Sequence, residues 1–216
     1  MIRASSLKKT FERLLSHYGP QHWWPADSPF EVMVGAVLTQ NTAWSNVARA
    51  VLNLKESEHL RPQAIVDLSD AELAEMIRSA GYFNVKARRL KNFCQWYLDQ
   101  GGYDVLSRRP TPDLRKQLLS VNGIGPETAD DMLLYAFSRP VFVVDAYTRR
   151  LFSRLGNVNG NEDYEELRGM FEKKIGPDVP LYNEYHALIV HHAKEICRTV
   201  PRCNDCCLAR HCRFVS

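Results

Sequence analysis

The sequence predicts an all-α fold. Three observations carry that expectation. Apolar residues recur every three or four positions along most of the 216 residues, the period of a helix with one buried face. Capping residues and prolines mark where those runs begin. Strand-like stretches are scarce: Val141-Phe142-Val143-Val144 is mostly β-branched, but four residues between two helical patterns read as a buried connector.

The elements follow in order. Residues 7–18 form an expected amphipathic helix, with Leu7, Phe11, Leu14 and Leu15 on one face. The loop His22-Trp23-Trp24-Pro25 comes next. Asp27 or Ser28 then caps a helix over 30–38 that has Pro29 in its first turn. Residues 42–54 place Val47, Ala50, Val51 and Leu54 in register. A short helix spans 64–68, Asp70 caps 71–79, and Gly81 ends that run. Residues 85–99 are helical, and Pro112 opens a helix that reaches Leu119. Further helices are expected over 126–137, 146–155, 164–175 and 181–197.

Composition excludes some classes. The chain has room for one domain or two small interleaved ones, and its 45% hydrophobic content is enough for a core. No run approaches the ~18 apolar residues of a membrane span, and residues 1–9 lack the apolar stretch of a signal peptide, so a cytoplasmic protein is expected. A net charge of +3 is too mild to argue for nucleic acid by itself. Local charge says more: Lys86, Arg88, Arg89 and Lys91 cluster, as do Arg198, Arg202, Arg210 and Arg213.

Three motifs point to chemistry. In Asn122-Gly123-Ile124-Gly125-Pro126-Glu127-Thr128-Ala129, two glycines let the backbone turn sharply between two helices, and Pro126 fits the first turn of the second. Bare amides at a helix N-terminus bind anions such as phosphate. Twenty residues after Gly125 stands Asp145, a carboxylate that suits either catalysis or the cap of the following helix. Cys197, Cys203, Cys206 and Cys212 crowd the C-terminal end, suiting tetrahedral zinc or an iron–sulfur cluster, with Cys207 as an alternative to Cys206.

Together these motifs resemble the helix-hairpin-helix DNA glycosylases of the endonuclease III type, over nearly the whole chain. The resemblance implies two helical domains flanking a DNA-binding cleft, one over 27–139 with the hairpin and one over 1–26 plus 140–216 with the cysteine loop. It implies that Asn122, Gly123, Gly125 and Thr128 grip the backbone of damaged double-stranded DNA, with a monovalent cation at the hairpin. Asp145 becomes the catalytic carboxylate, and the four cysteines hold a [4Fe–4S] cluster. The family pattern has six residues between its first two cysteines, whereas this chain has five. Tyr82, in Gly81-Tyr82-Phe83-Asn84, matches the wedge that enters the space left by a flipped nucleotide, and Gln40 matches a probe of the same gap. Lys86 is expected to contact DNA beside them.

Trp23-Trp24-Pro25, the 35–42 segment and the hairpin are most similar to the 3-methyladenine DNA glycosylase III branch. By that likeness Trp24, Trp23 and Trp44 stack on the extruded base, and Glu127 lines the pocket. Glu127 also stands where bifunctional members carry the lysine that attacks the sugar. A carboxylate cannot form an imine, so base removal without strand cleavage is expected, from a monomer acting on an alkylated purine. A mismatched or oxidised base, and a noncatalytic damage-binding module, are the alternative readings.

Overall fold

The structure, a computed structural model, describes residues 4–215, with side chains from residue 6 onward. Residues 1–3 and 216 of the expected domains lie outside the described residues. Among the described residues every regular element is helical. The chain divides into two compact units, Ala26–Arg139 and Met1–Pro25 with Pro140–Ser216.

The Ala26–Arg139 unit contains α2 (Pro29–Leu38), α3 (Trp44–Glu56), α4 (Pro62–Asp67), α5 (Asp70–Met76), a 3-10 turn (Arg78–Ala80), α6 (Phe83–Asp99), α7 (Gly102–Leu106), α8 (Thr111–Ser120) and α9 (Pro126–Asp131), which widens into a π-helical turn (Met132–Ala136). Its centre is α2, where every residue from Glu31 to Leu38 is buried and α3, α6, α9 and the π turn pack around it. Each fully buried large apolar side chain there, such as Leu38, Leu54 or Phe93, contributes about 1.5–3 kcal/mol relative to exposure. Ser28, one of the two expected caps, accepts from Glu31 N. The cap of α5 is Ser69 rather than Asp70, because Ser69 and Glu72 form a reciprocal capping box. The short α7 has no counterpart in the sequence reading. Asp130, which reads as a solvated or capping residue, is instead fully buried and bonded by Arg115 Nε and Nη2 at 2.6 and 3.1 Å.

The second unit contains α1 (Ala4–Tyr18), α10 (Ala146–Arg154), α11 (Tyr164–Ile175) and α12 (Val179–Glu195), then two 3-10 turns (Cys203–Asp205 and Ala209–His211). The α12 helix packs on α1 and α10. Phe142, Phe152, Phe171, Tyr182 and Tyr185 form its aromatic core, with Phe142 and Phe171 stacked at 4.5 Å. Val141 to Val144 run through this core fully buried, as the connector reading expects.

Candidate functional site

The hairpin joins α8 to α9. Gly123 adopts φ +98, a left-handed conformation that side chains rarely take, and a Cβ there would lie 2.3 Å from Arg89 Cγ. Gly125 is different: its backbone is extended (φ −92, ψ 176) and open space surrounds its Cα. Only the first glycine therefore makes the turn; the second caps α9 ahead of Pro126. Asn122 and Glu127 are exposed on either side.

Two residues expected to touch DNA, Thr128 and Lys86, are enclosed, and Gln40 is half-buried. Thr128 is 5% exposed and accepts a hydrogen bond from Gln40 Nε2 at 3.0 Å. Gln40 Nε2 also donates to Gly123 O at 3.0 Å, and Gln40 Oε1 accepts from Arg89 Nη1. Half-buried Gln40 thus braces the hairpin through its amide. Lys86 is 1% exposed, with its ammonium facing Leu38 O, Thr42 Oγ1 and Ala80 O, so it reaches no phosphate. Burial, with Arg89 nearby, pushes its pKa down to about 8. Tyr82 keeps the expected exposure: it is 74% accessible and caps α6 in the left-handed region at φ 46. Trp44 is half-buried at the first position of α3.

In the other unit Asp145 is 8% exposed at the N-cap of α10. Its Oδ1 accepts from Thr148 N at 2.7 Å, and its Oδ2 lies 3.5 Å from His186 Nε2. Burial alone would raise its pKa. The hydrogen bond and charge of His186, with Thr148, outweigh burial and hold the carboxyl below the usual carboxylate range. The two readings of Asp145 are therefore compatible: it caps the helix through one oxygen and presents an ionised second oxygen. Lys194 of α12 stands close enough for the charge of Asp145 to act on it, and its Nζ lies 5.6 Å from the Trp23 ring and 5.9 Å from the Tyr147 ring. Trp23 and Trp24 are half-buried, and Trp24 adopts φ 65.

In the sequence His186 reads as structural or, at best, a phosphate contact, and Lys194 is not singled out. The helical pattern of α12 shows which residues share a face, but nothing local links position 186 to position 145.

Among the described residues six non-glycine positions have positive φ: His22, Trp24, Asn41, Glu58, Tyr82 and Ser138. Four of them are, or adjoin, candidate site residues. Backbone held in such sparsely populated conformations tends to cluster at active sites and ligand clamps.

The cysteines separate into two groups. Cys197, Cys203, Cys206 and Cys212 line one small recess of about 20 Å³, walled by Leu151, Leu155, Ile196 and Leu208 among others. Cys207 is absent from that lining. Arg154 Nη1 donates to Cys197 Sγ at 3.3 Å, and His192 Nε2 lies 3.6 Å from Cys206 Sγ. Among the described residues no three His, Cys, Asp or Glu side chains converge as the ligands of a single metal ion. An all-sulfur donor set around an apolar recess fits an iron–sulfur cluster, whose thiolates spread around several irons.

Comparison with known proteins gives a consistent picture. The profile of the HhH-GPD superfamily base excision DNA repair proteins matches residues 34–177. A Methanocaldococcus jannaschii protein named as a candidate DNA repair glycosylase is 47% identical over 207 residues, covering 94% of each chain. Endonuclease III of Thermotoga maritima is 29% identical, covering 86% of this chain and 83% of its own. The H. pylori 3-methyladenine DNA glycosylase MagIII bound to 1,N6-ethenoadenine superposes with TM-score 0.73 at 31% identity, covering 89% of this chain and 95% of that one. An endonuclease III–DNA complex superposes with TM-score 0.85 at 22% identity, over 100% and 97% of the two chains, and shares the fold.

Proposed function

The chain belongs to the HhH-GPD superfamily of base excision DNA repair proteins, and from that premise we propose that it is a monofunctional DNA glycosylase that removes an alkylated purine. The observation that carries the reading is Asp145, a buried carboxylate whose Oδ1 accepts from Thr148 N at 2.7 Å while Oδ2 lies 3.5 Å from His186 Nε2. The substrate class is taken from the 31% identical MagIII, named for 3-methyladenine and holding 1,N6-ethenoadenine.

In this reading the hairpin around Gly123 binds the DNA backbone while Tyr82 fills the gap left by the extruded nucleotide. Extrusion costs a few kcal/mol. Stacking of the base on Trp23, Trp24 and Trp44 returns about 1–3 kcal/mol per base. An alkylated purine is already a good leaving group, so no strong general acid is needed. Asp145 stabilises the positive charge that develops on the sugar as the N-glycosidic bond breaks, and water then adds to the sugar carbon. Glu127 leaves the hairpin without the amine that would cleave the strand.

Cys197, Cys203, Cys206 and Cys212 would hold the [4Fe–4S] cluster. When bound, it cross-links a C-terminal tail that has few apolar residues of its own. A monovalent cation at the hairpin would share carbonyls that already accept hydrogen bonds, Gly123 O from Gln40 and Val121 O from Ile124 N. No step is assigned to it.

The test is a panel of duplexes, each with one lesion, scored separately for free base and for nicking. Release of an alkylated purine with no nick is expected. Release only from a mismatched or oxidised base would replace the substrate. Borohydride trapping of a covalent protein–DNA adduct would overturn the monofunctional assignment, and Lys194, the amine beside Asp145, would be the first residue to substitute.

A further inference from the structure

An ammonium group buried to 1% exposure is costly unless every N–H has an acceptor. Lys86 meets that condition. Its three hydrogens are matched by Leu38 O at 2.7 Å, Thr42 Oγ1 at 2.6 Å and Ala80 O at 2.8 Å. Thr42 Oγ1 also donates to Ala80 O at 2.6 Å, which closes a small polar ring.

The acceptors are not scattered. Leu38 is the last residue of α2, where carbonyls lack partners in their own helix and the helix dipole is negative. Ala80 ends the 3-10 turn before α6. Between Leu38 and Thr42 lies Gln40, and two residues after Ala80 comes Tyr82. Both segments carry left-handed backbone, at Asn41 (φ 52) and Tyr82 (φ 46). A single side chain from the first turn of α6 therefore ties the two segments expected to probe a damaged duplex.

We propose that Lys86 is a positioning residue for lesion recognition: with Thr42 it locks the Gln40 segment and the Tyr82 turn into one register, so that both meet the duplex as a unit. The inference rests on the reading of Gln40 and Tyr82 as probes. Lys86 touches neither substrate nor reacting atoms. Its effect falls on discrimination between damaged and intact DNA, not on general affinity.

The experiment uses the full-length protein and two duplexes of one sequence, one undamaged and one with a tetrahydrofuran abasic analogue opposite 2-aminopurine. Neither requires base release, so the result is independent of the preferred lesion. Lys86→Met and Thr42→Val are compared with wild type by thermal melt, affinity for each duplex, and 2-aminopurine fluorescence. Both variants are expected to bind undamaged duplex within about twofold of wild type. Preference for the abasic duplex is expected to fall about tenfold in Lys86→Met and about threefold in Thr42→Val, with the fluorescence response reduced in step. The double variant should be no worse than Lys86→Met, because both act through one node.

If Lys86→Met does not fold, Thr42→Val decides. An equal loss of affinity for both duplexes would show a merely structural role and overturn the proposal. So would wild-type preference in folded Lys86→Met and Thr42→Val while Gln40→Ala and Tyr82→Ala lose it. If Gln40→Ala and Tyr82→Ala themselves keep the preference, the assignment of the probes falls, and the role of Lys86 with it.

Discussion

Asp145→Asn separates the two jobs of one residue. Asparagine caps a helix about as well as aspartate, so α10 should lose at most about 0.5 kcal/mol, its Oδ1 still accepting from Thr148 N. The charge facing the developing sugar cation disappears, and removal of one preorganised electrostatic group of this kind slows reactions about 10²–10³-fold. Asp145→Ala removes both functions: it should show the same rate loss plus about 1 kcal/mol of lost cap stability. For a chain of this size that is a fall of about 2–4 °C in Tm. The assay is single-turnover base release beside a thermal melt. The pH dependence has a definite sign. A carboxyl whose folded pKa is depressed contributes stability that is fully present above its unfolded pKa and is lost as pH falls through the folded value. Wild type should therefore lose this contribution only below the usual carboxylate range, and Asp145→Asn should show a flatter acid limb. Base release within a fewfold of wild type in Asp145→Asn would refute the catalytic assignment. A Tm loss equal to that of Asp145→Ala would refute the argument about the cap.

Three further outcomes follow from the geometry. Gly123→Ala should cost about 1–2 kcal/mol and weaken duplex binding, because φ +98 and Arg89 both oppose a side chain, whereas Gly125→Ala should be nearly neutral in a melt. Arg115→Ala should cost about 1.5–3 kcal/mol by removing the two charge-assisted hydrogen bonds its guanidinium makes to the buried Asp130 carboxylate, as read by denaturant unfolding. Cys206→Ser should lower the iron content and the absorbance near ~400 nm expected of iron–thiolate ligation, while Cys207→Ser, outside the recess, should leave both unchanged.

Most of the helices, though not the short α7, were legible in the sequence from an apolar helical period, often with a capping residue or a first-turn proline. The Ser28 cap and Pro29 of α2 are examples. The cap role of Asp145 was legible from its place just before the helical pattern of α10. What could not be read were partners distant along the chain. Lys86 sits in a run of cations that looks like a solvated face, and only the fold brings three acceptors around its ammonium. Thr128 and Asp130 look like surface residues of a short helix, but α9 packs against α2 and α8, so they are enclosed. His186 reads as structural because a histidine in the middle of an apolar helix is ordinary until the carboxylate it faces is known. Gly125 shows the opposite error: two glycines one residue apart suggest two unusual backbones, and the chain needs only one.

The left-handed backbone at His22, Trp24, Asn41 and Tyr82 sets a limit on engineering. Each such residue costs on the order of 1–2 kcal/mol relative to glycine in the same conformation. Tyr82→Gly or Trp24→Gly would therefore be attractive to any campaign that selects for heat resistance alone, and each would delete an aromatic ring that the proposed function assigns to the nucleotide. Directed evolution of a hardier enzyme should screen for base release at every round. The first gains in melting temperature are available at positions to which the proposed function assigns contacts with the nucleotide.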